Sequence, residues 1–235
     1  MKYPNTYRYY VPREKVVRFR DATKVVYDEG RWKLLWTLRK RAKEVMKAIP
    51  VKSYVHGSVA RGDVSNRSDI DIVILENIPS YLIESYLNYE NRYIVQATPN
   101  SAIKALYEID SQVSIVFPLT TLNRREYEFY DFGGKSDLMD NGRVMGVNKK
   151  LLFIEPTDDG HIEWSIIGRE YEVAQKLGIG IETVQERVRV LTRRDKIGRT
   201  GIYLKEYVPP EKGVEEYLKN LADRDPVIRR VVRNR

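Results

Sequence analysis

The chain has 235 residues, of which 42% are hydrophobic and 31% charged, with a net charge of +8, no cysteine and two histidines. That size suits one large domain with an appendage, and the absence of cysteine excludes disulfides, thiolate metal sites and cysteine nucleophiles. With only His56 and His161 to draw on, a metal must sit on oxygen; no apolar run nears the ~20 residues of a membrane-spanning helix, and "MKYPNTYRYY" lacks the apolar segment of a secretory signal, so a cytoplasmic protein without membrane contact is expected.

Charge is unevenly spread. Residues 1–60 hold 15 Lys/Arg against 5 Asp/Glu, residues 61–160 hold 10 against 16, and residues 161–235 hold 16 against 12. Both ends are therefore basic and attract polyanions, nucleic acid (DNA or RNA) foremost. In the first segment, "YRYYVPREKVVRFR" mixes Tyr7, Tyr9 and Tyr10 with Arg8, Arg13, Arg18 and Arg20. Such a mixture can stack bases and pair phosphates, or form an ordinary edge strand; residues 1–28 are read as a basic N-terminal segment.

The first clear element is "GRWKLLWTLRKRAKEVMKAIP", where Leu35, Leu38, Ala42, Val45 and Ile49 step by three and four while Arg39, Lys43 and Lys47 form a cationic side. This spacing predicts an amphipathic helix ended by Pro50. "VKSYVH" reads as a strand running into a tight turn at Gly57, with a short helix from Ser58. "SDIDIVIL" is a second strand, with Ile70, Ile72 and Ile74 on one face and Asp69 and Asp71 on the other. A helix is expected through "YLIESYLNY", a strand in "RYIVQAT", a short helix in "NSAIKALY" and a strand in "EIDSQVSIVFP". "TTLNRREYEFYDFGG" reads as a helix stopped by its glycine pair, and "GRVMGVNKKLLFIEP" as a hairpin turning near Asn148. The α/β portion, residues 29–156, ends there.

Residues 157–208 change character. Val173, Ala174 and Leu177 mark one helix face, Gly178 to Gly180 break it, and Val184, Val188 and Leu191 mark a second helix. Followed by "DKIGRTGIYL" as a hairpin, this is the layout of a winged helix-turn-helix. Its second helix and wing carry Arg187, Arg189, Arg193, Arg194, Lys196 and Arg199, the candidate nucleic-acid contacts, although Glu182 and Glu186 oppose them. Residues 209–235 read as a helical basic tail. Two further motifs are decoys. "GGKS" at Gly133–Ser136 lacks the first glycine of a P-loop and reads as a helix stop; "GIGIET" at Gly178–Thr183 lacks the preceding strand of a dinucleotide fingerprint and reads as an interhelical turn.

The chemistry concentrates in "HGSVARGDVSNRSDIDIVIL", His56 to Leu75. Alternate strand residues point the same way about 6.6 Å apart, so two carboxylates can converge on one hard cation, and Mg²⁺ takes oxygen ligands together with substrate phosphates. Gly57 lets a phosphate approach the backbone, Ser58 offers a hydroxyl and a starting helix offers N–H groups, while Arg61 adds charge. His56, alone at a strand end, reads as structural.

This stretch resembles the signature of the nucleotidyltransferase superfamily, the DNA polymerase beta-like fold, and the chain looks like the small nucleotidyltransferases of archaea that carry a C-terminal winged helix. The resemblance implies an α/β (α+β) fold with a mixed nucleotidyltransferase-type sheet and flanking helices. It implies that Gly57 and Ser58 bind the triphosphate and that Asp69 and Asp71 bind Mg²⁺, or Mn²⁺ in its place. Family members have a third carboxylate on a later strand; that position falls to Ser114, unless a shifted strand gives the role to Asp110 or Glu108. The candidate set is thus Asp69, Asp71 and Asp110 for catalysis and Gly57, Ser58, Arg61 and Ser68 for the nucleotide. The expected reaction moves a nucleoside monophosphate from an NTP to an acceptor hydroxyl. The alternative is a nucleic-acid-binding regulator with a nucleotide-sensing or inactive core; the acceptor, base preference and oligomeric state are left open.

Overall fold

A computed structural model describes residues 15–140, 142–198 and 201–234. A short strand, β1 (Thr23–Val26), leads into the long helix α1 (Glu29–Ala48). The Asp28 carboxylate accepts a hydrogen bond from the Arg31 N–H at 2.7 Å, which satisfies one of the donors that every helix start leaves unpaired. Leu35, Leu38, Ala42 and Val45 are buried on one face of α1, as their spacing requires. Pro50 disfavours helical geometry at Ile49 and ends the helix there.

Next come β2 (Tyr54–His56), the single-turn α2 (Ser58–Arg61), β3 (Ile70–Val73) and the single-turn α3 (Tyr81–Glu84). They are followed by β4 (Asn91–Gln96), β5 (Ile103–Glu108), β6 (Val113–Pro118), α4 (Arg124–Gly133) and β7 (Lys135–Ser136). The hairpin strands β8 (Gly146–Val147) and β9 (Leu152–Thr157) lead to β10 (Gly160–Ser165), α5 (Glu170–Leu177) and α6 (Ile181–Ile197). The chain closes with β11 (Leu204–Tyr207), α7 (Val214–Arg224) and α8 (Pro226–Asn234).

Seven strands form one mixed sheet in the order β11-β4-β5-β6-β3-β2-β7, in which β3 and β6 run parallel. Its inner face packs Ile70, Ile72, Ile115, Phe117, Ile94 and Tyr107 against α1 and against Val214, Leu218, Ile228 and Val231 of α7 and α8. A second sheet, β1-β10-β9-β8, forms its own core with α5 and α6 around Phe153, Trp164, Val173 and Val184, and Phe132 of α4 joins it. At Gly160 the β1–β10 pairing (Val26↔Gly160) is so close that an added Cβ would meet the Val25 carbonyl. Gly160→Ala is therefore expected to cost about 2–3 kcal/mol of stability, read by urea or thermal unfolding; an unchanged unfolding curve would contradict that close approach.

Two expectations are corrected by the structure. "NSAIKALY" holds β5 rather than a short helix: Ile103, Ala105 and Tyr107 are buried while Lys104, Leu106 and Glu108 are half-buried. That is a two-residue period, and pairing with both β4 and β6 overrides the helix preference of Ala, Lys and Leu. The expected wing hairpin is not seen among the described residues: Asp195–Ile197 extend α6, and Leu204–Tyr207 pairs antiparallel with β4 at the edge of the large sheet. The residues read as a helical basic tail do form two helices, α7 and α8, whose apolar face joins the first core. Among the described residues no helix is long and apolar enough to cross a membrane.

Candidate functional site

β2 delivers the chain into Gly57, whose φ of +82° and ψ of −141° suit only glycine. Nothing lies within 4 Å of where a Cβ would stand, so space opens beside this backbone. The Gly57 N–H donates to the Gly134 carbonyl at 2.9 Å, which fixes the turn against the end of α4. Ser58 Oγ donates to Ser68 Oγ at 3.1 Å, and Ser68 Oγ also accepts from the Ser65 N–H at 3.0 Å. The two serines thus tie the 62–69 loop back to the turn.

That loop ends at Asp69 and β3. Ile70, Ile72 and Ile74 are buried, whereas Asp69 and Asp71 are exposed. The antiparallel register of β2 and β3 sets His56 opposite Asp71, so Gly57, the next residue, turns beside the two acids. Asp71 opens to solvent yet is crowded by surrounding protein. This desolvation lifts its carboxyl above the usual range; Lys149 and a hydrogen bond from Ser114 oppose the lift, and the nearby charge of Asp69 adds to it.

The parallel register of β3 and β6 decides which of the three candidates stands next to this pair. Asp71 is level with Ser114, and Ser114 Oγ donates to Asp71 Oδ1 at 3.2 Å. Asp110, expected to be catalytic, instead builds the turn between β5 and β6: its Oδ1 accepts from the N–H groups of Gln112 and Val113, both at 2.8 Å, and its Oδ2 pairs with Arg41 at 3.2 Å. Partial burial raises its carboxyl, but those backbone and Arg41 hydrogen bonds outweigh it and leave the pKa low. Glu108 is level with Ser114 on the far strand, yet its carboxylate is held by Asn91 (3.1 Å), Tyr93 (3.4 Å) and Lys205 (3.6 Å). Among the described residues there is no group of three His, Cys, Asp or Glu able to hold a metal.

Arg61, a candidate phosphate contact, is engaged by protein groups. It is buried, its Nη1 donates to the Gly133 carbonyl, and its Nη2 pairs with Asp63 at 2.9 Å. It clamps α2 onto the end of α4. His56 packs against Phe129 and Tyr130. Burial, reinforced by Arg61, Lys149, Lys104 and Arg187, depresses its pKa to about 3, so it stays neutral, in keeping with the structural role read from sequence. Lys149 was missed. It is exposed in the β8–β9 turn, which Asn148 Oδ1 braces by accepting from the N–H groups of Lys150 and Leu152, and its charge reaches both Asp71 and His56. A lysine pair at a predicted turn was its only signal in the sequence.

Residues 37–124, which span the turn, both aspartates and Ser114, match the nucleotidyltransferase domain family. Over this stretch the chain is similar to nucleotidyltransferase domains. No curated protein and no solved structure gives a significant match. The mixed α/β architecture agrees with that family, and a nucleotidyltransferase domain implies an NTP as substrate. Beyond this domain, α6 follows α5 through the Gly178–Gly180 turn, as read from sequence. Arg189, Arg193, Arg194 and Lys196 are exposed on α6. Arg187 lies instead over the Phe129 ring at 4.8 Å, and burial, with Arg194 next to it, lowers its pKa to about 10. Arg199, Tyr7, Arg8, Tyr9, Tyr10 and Arg13 lie outside the described residues.

Proposed function

We propose that this domain is a Mg²⁺-dependent nucleotidyltransferase that moves a nucleoside monophosphate from an NTP to an acceptor hydroxyl, with pyrophosphate leaving. The observation that carries the reading is the β2–β3 register, which sets the Gly57 turn beside Asp71. The donor set fits the ion: Asp69 and Asp71 are two neighbouring acids whose mutual repulsion and desolvation a hard cation relieves, and Ser114 adds a neutral oxygen. Bound by Asp69 and Asp71, Mg²⁺ or Mn²⁺ supplies neutralisation of charge on the phosphates and polarisation of the attacking oxygen.

The chain's own residues do the rest. Gly57 leaves room for a phosphate to approach the backbone, Ser58 and Ser68 offer hydroxyls beside it, and Lys149, whose charge acts on Asp71, holds phosphate oxygens. Lys149→Ala is expected to raise KM for the NTP roughly 10-fold with a smaller change in kcat, while Lys149→Arg keeps most of the affinity. Steady-state kinetics check this, and an unchanged KM would remove Lys149 from the site. The reading as a whole is tested by incubating the protein with labelled NTPs, Mg²⁺ and candidate acceptors and following label transfer.

Ser114 supports a second reading, a nucleic-acid-binding regulator whose core senses nucleotides or is silent, because a neutral hydroxyl stands where a third acid belongs. The exposed cations of α6 support nucleic-acid association in either case, whereas the loss of the wing to the sheet edge weakens the helix-turn-helix as a duplex reader. Specific duplex binding in a gel shift, with no label transfer to any acceptor, would favour the regulator.

A further inference from the structure

α1 turns one aromatic ring and a row of cations away from the core. Trp36, Lys40, Lys43 and Lys47 follow one another at steps of four, three and four, which places them on one stripe ~16 Å long. Together with Arg39, Glu44 and Leu138 they line a cavity of about 340 Å³. Four of these side chains are cations against a single acid, and none belongs to the Gly57–Asp71 site.

The ring is built into the surface rather than left loose on it. Trp36 is 44% exposed, yet it stacks on Trp32 with ring centroids 6.1 Å apart and planes inclined by 15°. The Arg39 guanidinium lies 5.9 Å from its centroid and donates from Nη2 to the Gly142 carbonyl at 2.6 Å. Trp36 is therefore held by Trp32 and Arg39 and still 44% exposed. Burying Arg39, with Arg143 close by, lowers its pKa to about 10 even though Asp140 opposes the shift, so an anion in the groove relieves a strained positive charge.

We propose that this groove binds single-stranded nucleic acid, with one base stacked on Trp36 and the neighbouring phosphates on Lys40, Lys43 and Lys47. Aromatic stacking beside a cationic track is the chemistry that holds an unpaired strand without regard to sequence. A duplex keeps its bases stacked on one another and offers no free face to the ring. An acidic protein segment would use the lysines but leave the indole unoccupied. The site is separate from the nucleotidyl-transfer reading and stands whether or not that reading holds.

The test uses the full chain with a short oligothymidylate and a short oligouridylate, followed by tryptophan fluorescence and by anisotropy of end-labelled oligonucleotide. Binding is expected to quench fluorescence. Trp36→Leu should remove most of the quenching and weaken binding about 10-fold. Lys40→Gln with Lys47→Gln should weaken it about 10-fold at low salt and reduce the slope of log affinity against log salt by about 1.4. Lys40 and Lys47 are exposed, so the double lysine variant should keep the wild-type circular dichroism and Tm, and a retained cooperative unfolding transition shows that Trp36→Leu is folded. Asp69→Ala with Asp71→Ala should bind like wild type, which keeps this outcome apart from the transferase question. No binding by wild type, unchanged affinity in both groove variants, equal affinity for a duplex of the same sequence, or displacement by polyglutamate at equal charge would each overturn the proposal.

Discussion

Replacing Asp69 and Asp71 together by alanine is expected to lower nucleotidyl transfer by on the order of 10³-fold or more, while the unfolding temperature measured in EDTA stays the same or rises. The two halves of this result come from one arrangement. Asp71 lies in a desolvated spot, and the charge of Asp69 raises its carboxyl further. A group whose folded pKa is raised is held less comfortably as an anion in the folded protein than in the unfolded chain. At neutral pH its charge therefore works against folding, and removing it gives stability back. Side chains kept for structure behave in the opposite way: Arg61, buried with Asp63 and the Gly133 carbonyl, would cost stability when truncated. The double variant is to be compared with wild type by label transfer and by thermal unfolding. Transfer that survives would exclude the two acids as the metal site, and a large drop in Tm would recast them as structural.

How far this site could be read from the sequence depends on how local each feature is. The alternation of Ile70, Ile72 and Ile74 with Asp69 and Asp71 is a period-two pattern within one strand, and a glycine ahead of a hydroxyl residue is a turn signal; both are written in neighbouring residues. Ser114 was singled out only through the resemblance to the family, and the parallel register with β3 brings it level with Asp71. What failed was non-local. β5 looked helical because its residue types favour a helix, and only its two neighbours in the sheet make it a strand. The wing was misread because Leu204–Tyr207 pairs with β4, a strand about 110 positions earlier in the chain. Arg61 sits one helical turn from Gly57, as a phosphate ligand would, but Asp63 and Gly133 claim it. Lys149 reaches Asp71 from the second sheet, some 80 positions along the chain, a distance that no pattern within a window can bridge.

Ser114→Asp is expected to raise transfer by about 10²-fold and to make stability depend on the metal. Ser114 and Asp71 are Cα partners on parallel strands, with Ser114 Oγ already 3.2 Å from Asp71 Oδ1. A carboxylate at position 114 therefore arrives beside Asp71 without any change of backbone. In EDTA three like charges would crowd a poorly solvated spot, so the variant should melt below wild type. Added Mg²⁺ should bind the folded variant in preference to its unfolded chain and raise Tm by mass action, and the rise should exceed that of wild type because the variant offers one more anionic ligand. Tm against Mg²⁺ concentration reads this independently of any acceptor. A variant with the same metal response as wild type would mean that position 114 does not face the ion. If wild type is silent in every label-transfer assay and the variant is active, the serine is the reason for the silence, and the regulator reading gains its mechanism: a site that keeps the nucleotide turn and two acids but lacks the third carboxylate that activates the attacking hydroxyl.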